Sequence, residues 1–299
     1  MRSSSERPFV AAPAGSIERT GLAAVAAAER WGLPSPVLLR AGMTAIYTAG
    51  DTVLRVATTT APAETAIELA GVLAGAGVRV PRPRRDDVVR VGDLSVTAWE
   101  RLEAIDGPVD WPAVGAMVRR VHELAPGDIP AGYPLPSAWS FPWWQFDDLL
   151  DRVGDDLDDA ARAGIEAAVC AHSWWRGGAQ PTVVGHGDVH PGNVLPTAGG
   201  AVLLDWDLLA TAPPAWDHAM LVRVERWGGD PGWYDAFAAG YGTSWRDDPL
   251  TVAIAELRLV AATLMRLLAA RADPTAAAEA RHRLAYWRGG PDAPPWNAV

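Results

Sequence analysis

The stretch His186 to Asn193 reads HGDVHPGN, and neither a regular helix nor a regular strand can hold it. Gly187 and Gly192 favour turns, and Pro191 removes a backbone donor. The segment must therefore be a loop, and it carries an aspartate, Asp188, and an asparagine, Asn193, five positions apart. The Pro191-Gly192 turn brings Asn193 back towards Asp188. A short apolar run, Ala201-Val202-Leu203-Leu204, follows and reads as a strand ending at Asp205-Trp206-Asp207.

The catalytic loop of protein kinases, H-R-D-x-x-x-x-N, has the same Asp-to-Asn spacing, and a later aspartate holds magnesium. The residues thus predict phosphoryl transfer. Asp188 is placed to orient the attacking hydroxyl or accept its proton. Asn193 and Asp205 offer hard oxygens suited to magnesium. His186 reads as structural, its ring bonded to nearby backbone. His190 has the same reading, with a substrate or phosphate contact as the alternative. A rival is a two-metal hydrolase built on Asp188, Asp205, Asp207, His186 and His190. Gly187 and Pro191 deny these histidines the shared helix face that a zinc pair needs.

Hydrophobic residues make up 49% of the 299 and charged ones 21%, which predicts a folded chain of one large domain or two lobes. The net charge is −10, and the nearest approach to a basic block is Arg82-Pro83-Arg84-Arg85, so no nucleic-acid partner is expected. The single cysteine, Cys170, excludes an internal disulfide; it lies in an apolar helical stretch and is expected to be a buried, inert thiol. No run of 18 apolar residues occurs and the start lacks a secretory signal pattern, so a cytoplasmic protein with no membrane span is expected.

Periodicity divides the chain. Residues 1–15 are rich in Ser, Pro and Ala and are expected to fray. Ser16 is placed to cap a helix through about Arg30, with Leu22, Val25 and Ala26 on one face. Short β-rich segments follow at 37–40, 45–49 and 52–57, then a helix over 63–76 and two strands at 88–91 and 94–99. After about Glu103 the pattern turns helical: from Asp110, over 155–172, and over 216–226, 234–241, 249–271 and 274–287, with a few short strands around 182–205. The fold class is α+β. An N-terminal lobe, 1–103, carries a small antiparallel sheet, and a mostly helical lobe spans 104–299.

With HGDVHPGN, the apolar strand and DWD in place, the chain resembles the aminoglycoside phosphotransferase and choline kinase-like family, the small-molecule branch of the protein-kinase-like fold. The likeness spans about residues 37–290 and is sharpest over 184–220. It implies an ATP-binding N-lobe (ATP or GTP), a helical C-lobe and a cleft between them. It makes Asp188 the catalytic aspartate and Asn193 and Asp205 the Mg2+ ligands. Asp207 matches a second acidic residue of the family, serving a second metal or bracing the loop; Asp217 is expected to cap the following helix and brace the site. Arg55 stands where the family has a strand lysine, and pairs with the α- and β-phosphates; its partner carboxylate is expected to be Glu68 rather than Glu64. The loop 40–45 would cover the phosphates, with Thr44 offering a hydroxyl or N–H. Trp99, Glu100, Arg101 and Leu102 would form the hinge whose backbone meets adenine.

The expected acceptor is a hydroxyl of a small molecule, with an antibiotic such as an aminoglycoside among the candidates. Two features bear on it. An acidic run, Asp147 to Asp159, would attract a cationic substrate if it lined the cleft, and is otherwise a solvated face. The 15 tryptophans, with clusters at 139–144 and 174–175, either fill the core or stack on substrate. Arg55 in place of lysine also motivates a pseudokinase, a nucleotide-binding module without transfer.

Overall fold

The computed structural model describes residues 7–177, 180–271, 273–290 and 293–297. The first helix, α1 (Ile17–Trp31), starts where the Ser16 side chain accepts the Arg19 N–H at 3.2 Å and ends where Gly32 turns left-handed. Its buried face is Ala23, Ala24, Ala27 and Ala28, whereas Leu22 and Val25 are exposed, the reverse of the expected face. Small side chains occupy that face because the helix lies close on the sheet: the Thr20 and Tyr47 hydroxyls meet at 2.8 Å.

The sheet contains β1 (Val37–Ala41), β2 (Ala45–Ala49), β3 (Thr52–Ala57), β4 (Val89–Val91) and β5 (Leu94–Glu100), with α2 (Glu64–Gly75) inserted after β3. Its order is β1-β2-β3-β5-β4, every pair antiparallel. Alternation along β3 sends Leu54 and Val56 into the core shared with the alanines of α1, and so turns Arg55 to the other face.

The second lobe runs α3 (Trp111–His122), α4 (Phe146–Val153), α5 (Asp159–His172), β6 (Val183–Gly185), β7 (Val194–Thr197), β8 (Gly200–Leu203), β9 (Ala210–Ala212), α6 (Ala215–Val222), α7 (Gly232–Tyr241), α8 (Pro249–Ala270) and α9 (Pro274–Trp287). Asp110 caps α3 by accepting the Ala113 N–H at 3.0 Å. Helix α5 begins later than the expected Asp155, because Asp158 caps it by accepting the Ala161 N–H at 3.1 Å. Gly115 lets α3 and α7 touch: a Cβ there would lie 2.0 Å from the Phe237 carbonyl oxygen. Cys170 is exposed, contrary to expectation, because α5 turns Ile165 and Val169 inward and carries the next residue out. Among the described residues no helix is long and apolar enough to cross a membrane.

The division of the chain at residue 103 does not divide the core. Leu69 and Leu73 of α2 pack in one cluster with Val114 and Val118 of α3, Val184 of β6 and Leu203 of β8. Phe9 and Val10 belong to the same cluster. The start of the chain therefore does not fray over residues 7–15; the remainder of that stretch, 1–6, lies outside the described residues. Phe9 is 1% exposed, its N–H donates to the Asp207 carbonyl at 3.0 Å, and its carbonyl accepts from the Thr60 N–H at 2.9 Å. Further on, the Ala14 N–H donates to the Met43 carbonyl at 3.0 Å. This strap ties the N-lobe to the loop after β8.

Candidate active site

Strands β6 and β9 pair, and the loop 186–193 springs from the end of β6 beside the β7–β8 hairpin. Gly187 has φ +88°, and a Cβ on it would lie 2.0 Å from the Leu208 carbonyl oxygen, so only glycine fits. The His186 ring is fully buried and holds the loop as expected. Its Nε2 meets the Leu204 carbonyl at 3.0 Å, and its Nδ1 accepts the Asp188 N–H at 3.2 Å. Both ring nitrogens are thus engaged with backbone, which removes His186 from the two-metal hydrolase reading.

Asp217, on α6, anchors the loop from below. Its side chain is wholly buried; it accepts the N–H groups of His186 and Gly187, each at 2.8 Å, and lies 3.0 Å from His122 Nε2. His122 Nδ1 in turn meets the Tyr241 hydroxyl at 2.9 Å. Burial alone would raise the Asp217 carboxyl, but the His122 hydrogen bond, the nearby His186 ring and the Gly187 N–H outweigh it and hold it below the usual range. Asp217 sits inside the first turn of α6 with its oxygens on the loop, so it braces the site and does not cap the helix.

Asp188 stands at the open side, its side chain 27% exposed. Arg258 Nη2 donates to its Oδ1 at 2.8 Å, His190 Nε2 lies 3.3 Å from Oδ2, and Asn193 Nδ2 donates to Oδ2 at 3.1 Å. Burial again favours the neutral acid, yet His190, Arg258 and His186 together hold the carboxyl well below the ordinary carboxylate range. Asp188 is therefore anionic. His190 also accepts the Gly192 N–H at 3.1 Å on Nδ1, which closes the turn.

Arg258 was not singled out from the sequence. It lies on α8 between Leu257 and Leu259, both buried, and its Nη1 donates to the Gly187 carbonyl at 3.2 Å. A guanidinium in the middle of an apolar helix face was the available signal, because a buried charge needs a partner. Its position 5.7 Å over the Trp216 ring adds a cation–π contact.

Asn193 is buried and directly precedes β7; with its amide nitrogen on Asp188, its Oδ1 is the atom left to face a cation. Asp205 follows Leu204, whose N–H donates to the Asn193 carbonyl at 2.9 Å, so the two positions are neighbours. Asp205 has φ +60°, the only positive value outside glycine among the described residues, which marks a sharp turn directly after the strand. These are two hard oxygens at adjacent positions, and they fit a magnesium ion. Asp207, expected to serve a second metal or to brace the loop, places both its oxygens on Arg55 Nη2, Oδ1 at 2.6 Å, and its side chain also meets that of Asp205. Its carboxyl is raised by burial, with the Asp205 charge adding to this and Arg55 opposing.

The partner of Arg55 is thus Asp207 and not Glu68, which is exposed on α2. Glu64 pairs elsewhere, with Arg90 at 2.6 Å. The physical reason is the strap: Phe9 stacks on Tyr133 at 4.7 Å and lies 5.9 Å from the Arg55 guanidinium, while the Tyr133 hydroxyl donates to the Trp206 carbonyl at 2.8 Å. Phe9, stacked on Tyr133, thus lies over Arg55, whose Nη2 reaches Asp207 in the loop after β8.

At the hinge, the Glu100 N–H donates to the Arg82 carbonyl at 2.8 Å and the Arg101 N–H to the Asp51 carbonyl at 3.0 Å. Neither is on offer to a base. The Glu100 side chain accepts the Arg82 N–H at 2.9 Å, and Trp99 Nε1 donates to the Thr97 hydroxyl at 2.8 Å, so both side chains brace the sheet. Leu102 is half-buried just beyond β5. Thr44 is buried between β1 and β2, next to Met43, whose carbonyl the strap holds. The acidic run does not line the cleft beside Asp188: Asp158 pairs with Arg288 at 2.6 Å and Asp156 with Arg271 at 2.9 Å.

The profile of the phosphotransferase enzyme family matches residues 44–254. No curated protein matches the chain. Among solved structures, the GDP complex of aminoglycoside 2'-phosphotransferase-IIIa is 17% identical, covering 88% of this chain and 96% of that one, with a TM-score of 0.67. The amicoumacin kinase hAmiN, in complex with AMP-PNP, Ca2+ and Ami, is 12% identical over 91% and 95%, with a TM-score of 0.66. A choline/ethanolamine kinase family protein from Mesorhizobium loti is 19% identical over 87% and 88%, with a TM-score of 0.62. At these identities the likeness establishes the two-lobe kinase-like fold, while the profile covers the strap-bound Arg55 strand, the Asp188 loop and the start of α8: the chain belongs to the phosphotransferase enzyme family.

Proposed function

We propose that this protein transfers the γ-phosphoryl group of ATP or GTP, with magnesium, to a hydroxyl of a small molecule. The observation that carries the reading is Asp188: an anionic carboxylate beside Asn193, opening on a cavity. The acceptor hydroxyl donates a hydrogen bond to Asp188, which aims its lone pair at the phosphorus. As the new oxygen–phosphorus bond forms, the bond from the γ-phosphorus to the bridging oxygen breaks and the nucleoside diphosphate leaves with that electron pair. The hydroxyl proton passes to Asp188. Because Arg258 and His190 make Asp188 a weak base, transfer comes late, once bond formation has acidified the hydroxyl. A magnesium ion held by Asn193 and Asp205 would supply charge neutralisation at the transferring group. Arg55 is assigned to the phosphates, Asp207 to holding Arg55 in place, Thr44 to the loop above them, and the Leu102 backbone to the base.

The test is Asp188→Asn. Turnover on any accepted hydroxyl should fall by about 10²–10⁴-fold, while nucleotide affinity and melting behaviour stay close to wild type. Retained turnover removes Asp188 from the reaction. Wild-type protein that binds nucleotide and phosphorylates nothing in a broad acceptor panel would support the binding-module alternative. The named ligands of neighbouring structures, such as spectinomycin, place antibiotics in that panel.

A further inference from the structure

Asp188 and Arg258 form one wall of a cavity of about 210 Å³. Its rings come from Trp143, Trp144 and Trp227, and its aliphatic surface chiefly from Leu208, Met220 and Met265. Apart from Asp188 and Arg258, the charged lining is Arg223. We infer that the acceptor is an uncharged hydroxyl compound with a flat aromatic or apolar body, not a polyamine, and that these three tryptophans select it. The inference rests on the phosphotransferase reading above.

A polyamine entering this cavity would shed its hydration beside two guanidinium groups. Such a cation needs carboxylates to replace the lost water. The one lining carboxylate, Asp188, already accepts from Arg258 at 2.8 Å and faces His190 at 3.3 Å. Arg223 is paired with Glu256 at 3.5 Å and Glu225 at 3.4 Å, but neither glutamate lines the cavity. One of the rings already carries a cation: Arg283 sits 4.8 Å from the Trp227 ring. A second cation on Trp227 would meet the field of the first.

The acidic residues that would suit a polyamine lie elsewhere. Asp147 and Asp148 line a separate cavity with Trp139, Gln145 and Trp175; Trp144 lines both cavities, and Asp188 is not part of this one. A cation held there would sit outside the cavity that Asp188 lines. A neutral flat molecule, by contrast, gains ring contact and apolar burial and leaves every existing ion pair intact. Its hydroxyl reaches Asp188 at the cavity wall, and Arg223 offers N–H donors to a ring or ether oxygen.

Isothermal titration calorimetry in the presence of magnesium and a non-hydrolysable ATP analogue tests this with two hydroxylated probes, 4-nitrophenyl β-D-glucopyranoside and kanamycin. The glucoside should bind about tenfold more tightly than kanamycin, and Ala262→Trp, which fills the cavity, should weaken it about tenfold while analogue affinity changes by less than about twofold. Met265 is exposed at the rim, so Met265→Glu should fold normally and shift the preference towards kanamycin by about fivefold or more. Absence of glucoside binding, tighter binding of kanamycin, or a Met265→Glu preference equal to wild type each overturns the acceptor class. Glucoside binding unchanged in a folded Ala262→Trp does so too. Each titration uses protein first shown to bind the ATP analogue; failure at that step refutes the phosphotransferase reading itself.

Discussion

Asp188 is held on three sides by partners of its own lobe, whereas Arg55 is held by one carboxylate from the opposite lobe, 152 residues away. The Asp188 loop is over-determined. Its backbone N–H groups end on the buried carboxylate of Asp217 and the ring of His186, and Gly187 accepts from both Trp216 and Arg258. The Arg55 side depends on a strap near the start of the chain that lays Phe9, itself stacked on Tyr133, over the guanidinium. One side is thus preorganised by its own fold, and the other is assembled only when the two lobes and the strap meet. On the proposed reading, the rigid loop keeps the reacting carboxylate aimed. On the same reading, the cross-lobe pair leaves the nucleotide side open to adjustment.

This contrast can be broken from either side. The largest effect is expected from Asp217→Ala, which strands two buried N–H groups and His122; the loss should be about 3–5 kcal/mol in denaturant unfolding, with turnover collapsing alongside. A near-normal unfolding midpoint would show that the loop does not depend on this anchor. Phe9→Ala should act on the other side alone. Nucleotide affinity is expected to fall about tenfold, near 1.4 kcal/mol, with the turnover at saturating nucleotide preserved and Phe9→Tyr restoring binding. Equal losses in both parameters would mean that the strap supports the Asp188 loop as well.

The C-lobe side should also betray itself through pH. Burial lowers the His218 pKa to about 3, helped by His122 and opposed by Asp217. The ring stays neutral in the folded protein and takes up a proton on unfolding between about pH 3 and its ordinary value near 6.5. Its contribution is therefore complete above pH 6.5 and is lost as the pH falls, by at most about 1.4 kcal/mol per unit. The difference in urea stability between wild type and His218→Phe should shrink with acidification; a difference constant with pH contradicts the neutral ring. The smallest effect belongs to Glu68→Gln, expected within about 0.5 kcal/mol in stability and without change in the KM for nucleotide. A marked rise in that KM would return Glu68 to the nucleotide site.

Legibility followed the range of the interactions. The β2 and β3 strands, the cap at Ser16, the helix start at Asp110 and the ends of α9 are all readable, because each is set by residues within a few positions of one another. The face of α1 was misread because hydrophobicity alone favoured Leu22 and Val25, while close approach to the sheet selects alanine. Cys170 was misread because an apolar neighbourhood in sequence is not a buried side of a helix. Arg258 was passed over because its partner stands 70 residues away.

The sequence by itself determined the loop that carries Asp188 and Asn193 and the strand that runs up to Asp205, since Gly and Pro forbid a helix there and the apolar run after it reads as a strand. Only the tertiary structure decided what surrounds them: Arg258 on Asp188, Asp207 on Arg55, Phe9 over the pair, and a cavity of tryptophans where an acidic lining was conceivable. The reason is physical. Local backbone preferences are written in neighbouring residues, but the partner of a buried charge is whichever group packing delivers to it, from any distance along the chain.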